Sequence, residues 1–280
     1  MSKIAILLAT YNGAKFIREQ IDSIKDQTYK DWDLYVRDDG STDDTVSIIQ
    51  EYEKRNPNIH LFEDEEKHIG AKNSFMKLLS AIDSDDYMFC DQDDIWLPTK
   101  IEHSVDLLEK TEKEYPNEPI IVHTDVTVVD GNLNVLSQSY WKSAHIKPER
   151  YKSYNYLAIL NCVQGTTMLF NKLAKQVCYP LVEDVRMHDF WVATRVLKKG
   201  GFIATLYEQT VLYRQHSNNV YGVSFGDSLK LNSKLKGIKE VLAVNSDKYN
   251  YLRKDGYGSI LKFLWFRSRI FFNRFVLDRK

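Results

Sequence analysis

The sequence has few cysteines and no hydrophobic run of transmembrane length. Its 280 residues contain only Cys90, Cys162 and Cys178, and no two of them form a CxxC pair. A disulfide scaffold and a cysteine-rich zinc site are therefore excluded, and a reducing, cytosolic setting is expected. The first apolar run, Ile4–Ala9, is too short for a signal peptide, and no run reaches the roughly 18 residues of a membrane span.

The sequence also lacks a basic excess and the two common glycine-rich phosphate-binding motifs. It has 38 Lys and Arg residues against 39 Asp and Glu residues, and the segment Arg253–Lys280 holds eight basic and only two acidic residues. The remaining body is acidic, which argues against nucleic-acid binding. Neither GxGxxG nor GxxxxGK[ST] occurs, so neither a dinucleotide fingerprint nor a P-loop is expected.

Apolar runs alternate with segments of helical periodicity in the first hundred residues. The predicted strands are Ile4–Ala9, Leu34–Val36, Ile59–Phe62 and Tyr87–Cys90. Between them, apolar residues recur every three or four positions, as on one face of a helix. This alternation predicts an α/β fold with a mainly parallel sheet that is covered by helices on both faces.

The rest of the chain follows a less regular pattern. A helix after Pro98 and another from His188 to Lys199 are predicted, and a small Lys-rich helical appendage begins near Ser228. The segment 136–156 has no clear period and is predicted to be a long loop. Strands are predicted over Ile120–Val129, Val163–Phe170, Phe202–Tyr207 and Val211–Tyr213.

Polar clusters stand directly after three of the predicted parallel strands. They are Thr10-Tyr11-Asn12, Asp38-Asp39 and Asp91-Gln92-Asp93-Asp94. In an open parallel sheet, ligands bind beyond the carboxyl ends of the strands. We therefore expect these three clusters to meet at one edge of the sheet.

The acidic side chains in these clusters suggest two kinds of contact. Asp91, Asp93 and Asp94 repel one another unless a cation lies among them, and carboxylate oxygens favour Mg²⁺ or Mn²⁺; a solvated acidic turn is the alternative. Asp38 and Asp39 precede a predicted helix. One of this group is expected to cap that helix, and a second carboxylate can accept the N–H of a nucleobase.

Two further groups come from the second half of the chain. Asp189 begins a helix beside His188, Phe190 and Trp191, a setting that suits a general base in a partly dry pocket; a plain helix-terminal acid is the alternative. On a later loop, His216 could complete a metal site or contact a diphosphate, and Arg214 could contact the diphosphate. A purely structural Arg–His pair is the alternative there.

Five segments in this order resemble the family 2 glycosyltransferases, which have the GT-A fold. The resemblance spans Lys3–Asn219, and the longer strings DQDDIW and YRQHSNN are similar to bacterial rhamnosyltransferases that build capsule, O-antigen or wall polysaccharides. The segments are Ala9–Asn12, Val36–Asp43, Asp91–Trp96, His188–Asp189 and Tyr213–His216.

The resemblance implies a role for each matching residue. A GT-A domain would span 1–227, with a nucleotide-sugar half of about 1–100 and an acceptor half of about 101–227, followed by the tail 228–280. The implied nucleotide-binding residues are Thr10, Tyr11, Asn12, Asp38, Asp39, Asp91, Asp93 and Arg214, with Thr10 and Asp39 at the nucleobase. Asp91 is the first acid of a DxD-type motif, Asp93 or Asp94 would ligate Mn²⁺ or Mg²⁺ with help from His216, and Asp189 is the general base. The acceptor side would include His188, Trp191, Gly165 and Thr166.

The implied reaction is an inverting, metal-dependent transfer of one sugar. The donor would be a nucleoside-diphosphate sugar, with dTDP-L-rhamnose preferred and UDP-hexoses open, and the acceptor a hydroxyl of a glycan on a polyprenyl diphosphate. No Gln-x-x-Arg-Trp motif follows, so non-processive addition is expected. Many family members have Glu where this chain has His188. A catalytically silent nucleotide-sugar-binding domain and a nucleotidyltransferase are the alternatives of other classes.

The segment Ile260–Phe275 mixes large apolar residues with four positive charges and no acid. Such a segment suits a helix lying on an anionic membrane surface, which would place the protein peripherally on the inner face of a bacterial cell membrane. The alternative is a helix that packs its aromatic side chains on the domain.

Overall fold

A nine-stranded mixed sheet forms the centre of the molecule in this computed structural model, which describes residues 2–181, 186–216 and 245–277. The strand order is β3-β2-β1-β4-β8-β6-β9-β5, and β7 pairs with β6. The strands are β1 (Ile4–Thr10), β2 (Trp32–Asp38), β3 (Ile59–Leu61), β4 (Asp86–Cys90), β5 (Ile95–Trp96), β6 (Ile120–Asp130), β7 (Val135–Ser137), β8 (Leu169–Asn171) and β9 (Phe202–Gln215).

The first four strands are parallel, as the alternating sequence pattern predicts. Their register places Thr10 opposite Asp38, and Leu8 opposite Cys90. The carboxyl ends of β1, β2 and β4 therefore lie side by side, and the polar segments that follow them meet at one edge of the sheet. This confirms the predicted mainly parallel α/β fold.

Helices cover both faces of this sheet. They are α1 (Ile17–Lys25), α2 (Thr45–Arg55), α3 (Gly70–Ala81), α4 (Lys100–Glu114), α5 (Tyr140–Ser143), α6 (Tyr154–Leu157), α7 (Lys172–Gln176), α8 (His188–Lys198), α9 (245–254) and α10 (Ile260–Phe272). Side chains of β1 alternate between two buried clusters: Ala5, Leu7 and Ala9 join one with α3 and α8, while Ile4, Ile6 and Leu8 join the other with α1, α2 and α4. This period of two follows from the pleat of a strand buried on both faces.

Three sequence predictions differ from the structure. The strand predicted over Val163–Phe170 is confined to β8, because Gly165–Thr167 forms a 3-10 turn beside the sheet edge. The two short strands predicted over 202–213 are one strand, β9, which stays paired with β6 past an irregularity near Asp125. The predicted loop 136–156 contains short helices, which bury Trp141 and Leu157.

The C-terminal helices are part of the main core. Leu252, Tyr257, Phe263 and Ile270 are buried in the same cluster as α3 and α8. The predicted domain boundary at 227/228 and residues 228–244 of the predicted Lys-rich tail lie outside the described residues. None of the helices in the described ranges is long and apolar enough to cross a membrane.

Candidate active site

A cavity of about 640 Å³ opens where the parallel strands end. Its walls come from the segments after β1, β2 and β4, from the start of α3, from the turn at Gly165, and from α8 and α9. Nine of the residues predicted from the sequence line this cavity: Thr10, Tyr11, Asp39, Asp91, Asp93, Gly165, Thr166, His188 and Asp189. Thr10 and Asp189, which are 179 positions apart in the sequence, thus share one space.

Gln92 ties the first and fourth strand ends together. Its Oε1 accepts hydrogen bonds from the Thr10 hydroxyl at 2.5 Å and from the Tyr11 N–H at 2.9 Å, and its Nε2 donates to the Tyr11 carbonyl. Because the Gln92 amide, which follows β4, hydrogen-bonds to Thr10 and Tyr11 at the end of β1, it sets the distance between these two segments. The sequence contains no indication of this role, because a glutamine between acids has no specific pattern.

The Asp39 carboxylate forms the floor of the cavity beside α3. It accepts hydrogen bonds from the N–H groups of Ile69 and Gly70 at 3.0 and 2.7 Å, and from Arg37 Nη1 at 2.9 Å. Burial alone would raise the pKa of Asp39, but the Arg37 guanidinium and the two N–H groups outweigh it and lower that pKa. Arg37 is itself fully buried and also pairs with Asp64. Asp39 is therefore held ionised.

The helix cap predicted for Asp38 or Asp39 lies elsewhere. Asp39 caps α3 rather than α2, and the first N–H of α2, that of Thr45, donates instead to Asp43. Asp38 closes its own turn by accepting from the N–H groups of Gly40 and Ser41. Asn12 bridges to the same loop, accepting from the Thr42 N–H at 2.8 Å. The structure places neither Asp38 nor Asn12 on the cavity wall.

The acidic cluster after β4 contains two acids that line the cavity and one that is buried behind it. Asp91 and Asp93 line the cavity, whereas Asp94 is fully buried and accepts a hydrogen bond from the Arg214 N–H. Burial, with the charges of Asp93 and Asp189, raises the pKa of Asp91 to about 7. Burial and the neighbouring acids raise the pKa of Asp94 well above its usual value. Asp94 thus supports the loop from behind.

Arg214 supports the same loop and does not line the cavity. It is 2% exposed, its Nε donates to the Asp93 carbonyl at 2.8 Å, its Nη1 donates to the Gly131 carbonyl, and its Nη2 pairs with Glu19. The side chain predicted to contact the nucleotide therefore points back into the domain. Its contacts fix the backbone that carries Asp93.

Asp93 and His216, two residues of types that can ligate metals, are in contact beside the cavity. His216 Nε2 lies 2.7 Å from Asp93 Oδ2, and the imidazole stacks on Phe16 at 4.9 Å between ring centroids. A carboxylate oxygen suits Mg²⁺ or Mn²⁺, and an imidazole nitrogen favours the transition metal, Mn²⁺. Across the described ranges no three His, Cys, Asp or Glu side chains converge. The pair therefore fits an ion that takes its other ligands from a diphosphate and water.

Asp189 lies in the first turn of α8 and faces the same cavity. Its carboxylate accepts hydrogen bonds from the Phe190 N–H at 2.5 Å and from Asn161 Nδ2 at 3.3 Å. Burial raises the pKa of Asp189 to about 6, and these donors limit the rise. A carboxylate with a pKa in this range can accept a proton near neutral pH.

His188 is held beside Asp189 as a neutral ring. It stacks on Phe75 at 4.0 Å and meets the edge of Phe89 at 4.7 Å between centroids, and burial lowers its pKa to about 3. A Cβ built on Gly165 would lie 2.7 Å from His188 Nε2, so only glycine leaves room for this ring. Trp191 was predicted on the acceptor side, but it is buried in the core and donates to the Cys178 carbonyl.

Three wall residues had no sequence signal. Asn161 follows a segment without period, and Arg186 and Lys248 are ordinary charged residues in the sequence. They reach the cavity only because the chain after Leu157 and helix α9 fold against α8.

The chain matches the model of Glycosyl transferase family 2 over residues 5–177, and it belongs to that family. It is accordingly a glycosyltransferase. It is 28% identical over 233 residues to the dTDP-rhamnosyl transferase RfbG of Shigella flexneri, covering 80% of this chain and 76% of that protein. It is 25% identical over 213 residues to the UDP-Glc:alpha-D-GlcNAc-diphosphoundecaprenol beta-1,3-glucosyltransferase WfgD of Escherichia coli, covering 73% and 76%.

Solved structures share the fold at low sequence identity. TarS 1-349 of S. aureus in complex with UDP-GlcNAc superposes with a TM-score of 0.59 and 18% identity, over 79% of this chain and 62% of that one. The mannosyltransferase PcManGT of Pyrobaculum calidifontis, in complex with GDP-Man and Mn²⁺, gives a TM-score of 0.58 and 17% identity, over 78% and 58%. These similarities confirm the predicted GT-A architecture.

Proposed function

We propose that this protein is an inverting, metal-dependent, non-processive glycosyltransferase that moves one sugar from a nucleoside diphosphate to a hydroxyl group of a lipid-linked glycan. The observation that carries the proposal is the shared cavity: Asp189, Asp39 and Asp93 line one space, and His216 contacts Asp93. Such a transfer needs a general base, an ionised carboxylate that accepts a hydrogen bond from the nucleobase, and a place for a diphosphate.

Asp189 acts as the general base in this proposal. Its ionised carboxylate takes the proton of the acceptor hydroxyl as that oxygen bonds to the anomeric carbon, while the bond from this carbon to the diphosphate oxygen breaks. Attack from the face opposite the leaving group inverts the anomeric configuration. Asn161 and the Phe190 N–H hold the carboxylate in place.

The donor occupies the strand-end side of the cavity. Thr10, Tyr11 and Asp39 face the nucleobase and Asp91 the ribose or diphosphate. Asp93 and His216 would hold Mn²⁺ or Mg²⁺, which when bound neutralises the charge of the nucleoside diphosphate. Asp94 and Arg214 hold the loop of Asp93 in position from the interior.

The preferred donor is dTDP-L-rhamnose, and a UDP-hexose is the second candidate. The likeness to RfbG, a dTDP-rhamnosyl transferase, supports the first, and the likeness to WfgD, which acts with UDP-Glc, supports the second. WfgD also supports a diphosphate-linked lipid acceptor, since its name specifies GlcNAc-diphosphoundecaprenol. Surface polysaccharide synthesis is the proposed process.

Peripheral membrane contact through α10 is also proposed. This helix buries Phe263 and Ile270 in the core but exposes Leu261, Trp265 and Phe271 at 75%, 51% and 59%. One face therefore packs on the domain, and the other presents apolar side chains among Arg and Lys, as interfacial helices do. In this proposal, both interpretations of the segment apply: one face of the helix packs on the domain, and the other contacts the membrane.

A donor screen tests the function. We expect dTDP or UDP to raise the melting temperature only with Mn²⁺ or Mg²⁺, and the matching nucleotide sugar to be hydrolysed slowly without acceptor. Release of pyrophosphate from a nucleoside triphosphate in the presence of a sugar 1-phosphate would identify a nucleotidyltransferase instead. Binding without any hydrolysis or transfer would identify a silent nucleotide-sugar-binding domain.

A further inference from the structure

The cavity has a basic wall that the donor and the general base do not use. Arg186 lies three residues before Asp189, and Lys248 lies on α9; both line the cavity. Neither comes from the strand-end segments that carry the proposed nucleotide contacts. This wall is thus on the α8–α9 side, next to the base.

Two cations, Arg186 and Lys248, line this wall, and a third, Arg267, lies on α10, which packs on α9 through Tyr249 and Phe263. Burial, followed by the charges of Arg186 and Arg267, lowers the pKa of Lys248 to about 8. Arg186 pairs with Asp247 and stacks on Tyr251 at 4.8 Å. Lys248 Nζ donates to the Ile159 carbonyl, and among the described residues neither Lys248 nor Arg267 has a carboxylate within 4.0 Å.

A half-buried cluster of like charges is unfavourable by itself and becomes favourable when an anion enters it. Lys and Arg together bind phosphate oxygens well, Lys as a point charge and Arg through its planar fork. The chemistry of this cluster therefore points to a phosphate or diphosphate group at the α9 end of the cavity, separate from that of the donor.

The side chains around this cluster indicate which kind of molecule carries the bound phosphate or diphosphate group. Arg267 lies on α10, whose exposed side chains Leu261, Leu264 and Trp265 are large and apolar. A diphosphate bound here would have a sugar on one side, toward Asp189, and an apolar surface on the other. A polyprenyl-linked diphosphate has this order of parts, whereas a second nucleotide or free pyrophosphate has no apolar tail.

We propose that Arg186, Lys248 and Arg267 bind the diphosphate group of a lipid-linked acceptor and thereby present its terminal sugar to Asp189. This assignment rests on the proposed function. It makes the C-terminal helices part of the active site, because α9 and α10 supply two of the three cations.

Isothermal titration with farnesyl diphosphate tests the site after dTDP or UDP with Mn²⁺ has saturated the donor site. We expect binding at least about tenfold tighter than that of farnesol, and competition by inorganic pyrophosphate only at higher concentration. Lys248→Gln and Arg267→Gln should each weaken farnesyl diphosphate about tenfold and leave nucleotide affinity unchanged, as expected for loss of one charge-assisted hydrogen bond. Thermal melts of both variants establish that they fold.

Arg269→Gln is the matched control, since it removes the same charge from the same helix at an exposed position where Arg269 stacks on Trp265. Equal binding of farnesol and farnesyl diphosphate, or unchanged affinity in both cluster variants, would overturn the proposal. Equal competition by pyrophosphate would mean that the site holds a free anion and not a lipid. If wild type binds neither nucleotide, the proposed function fails, and the titration of nucleotide-free protein still decides whether the cluster binds a diphosphate.

Discussion

His216 Nε2 lies 2.7 Å from Asp93 Oδ2, which joins the end of β9 to the segment after β4 across 123 positions of sequence. The two side chains are the ligands proposed here for Mn²⁺ or Mg²⁺. Arg214 lies two residues before His216. Its Nε donates a hydrogen bond to the Asp93 carbonyl, and its backbone N–H donates one to the Asp94 carboxylate. The end of the sheet is thus organised around one pair of prospective ligands.

Removing either member of this pair is expected to abolish metal-dependent nucleotide binding. Asp93→Asn and His216→Ala each delete a donor from a two-residue site, so Mn²⁺ titrations followed by electron paramagnetic resonance, in the presence of the nucleotide, should lose the tight phase. His103→Ala is the control, because His103 is exposed and pairs with Glu208 on the surface. Unaltered Mn²⁺ titrations in both site variants would reject the pair as the metal site.

Asp189→Asn is expected to lower the turnover number by at least about 10²-fold, since general-base catalysis contributes that much or more. The amide has the same shape but accepts no proton. Nucleotide affinity should stay within a factor of two, because the residue lies on the α8 side. The measurement is steady-state transfer together with nucleotide titration, and turnover close to that of wild type would contradict the role of Asp189.

Activity should depend on the ionisation of Asp189. Burial raises its pKa to about 6, and the base works in its ionised form, so turnover should fall about tenfold per pH unit below 6 and level off above it. Asn161→Ala removes a donor that favours the ionised form. The midpoint should then move upward by about one pH unit. A pH profile with the same midpoint in both proteins would exclude this control of the base.

The buried Arg37 should be essential for stability. Arg37→Gln leaves the buried Asp39 without its cation and Asp64 with Lys77 alone, and it is expected to cost about 3–5 kcal/mol in the free energy of unfolding. Arg37 lowers the pKa of Asp64 and counteracts the effect of burial on Asp39, so its contribution is present above pH 4 and is lost as the pH falls through their lowered values.

The matched control for that change is Arg18→Gln. Arg18 pairs with Glu51 on the surface, with about half of each side chain exposed. Exposed pairs contribute about 1 kcal/mol at most. Urea unfolding of both variants at pH 7 measures the difference, and equal losses would show that burial of Arg37 has no special weight.

Gly165→Ala should force His188 from its place between Phe75 and Phe89. The added Cβ would lie 2.7 Å from His188 Nε2, and overpacking of this kind costs about 1–3 kcal/mol. Transfer should slow as well, because His188 precedes Asp189. Gly131→Ala is the control, since nothing lies within 4 Å of its Cβ. Thermal melts and transfer assays of both variants check the effect, and a silent Gly165→Ala would show that the ring can move freely.

Much of the architecture and half of the site could be predicted from the sequence. The runs Ile4–Ala9 and Tyr87–Cys90 had to be buried strands because they are continuously apolar, and parallel strands deliver their carboxyl ends to one edge. Asp39, Asp91, Asp93 and Asp189 were found for that reason, each beside a strand or helix end. These are local properties, so neighbouring residues suffice to reveal them.

Only the tertiary structure decided which polar residues face the cavity and which support it. Asp94, Arg214 and Trp191 have side chains suited to binding, but each is held by a hydrogen bond to a backbone group distant in sequence. Asp38 is held by N–H groups of its own turn. Conversely, Lys248 reaches the cavity because buried Leu252 and Phe263 anchor the C-terminal helices to the core beside α8. Side-chain direction depends on long-range packing and on the hydrogen bonds that every buried polar group must find, and no local sequence pattern contains that information.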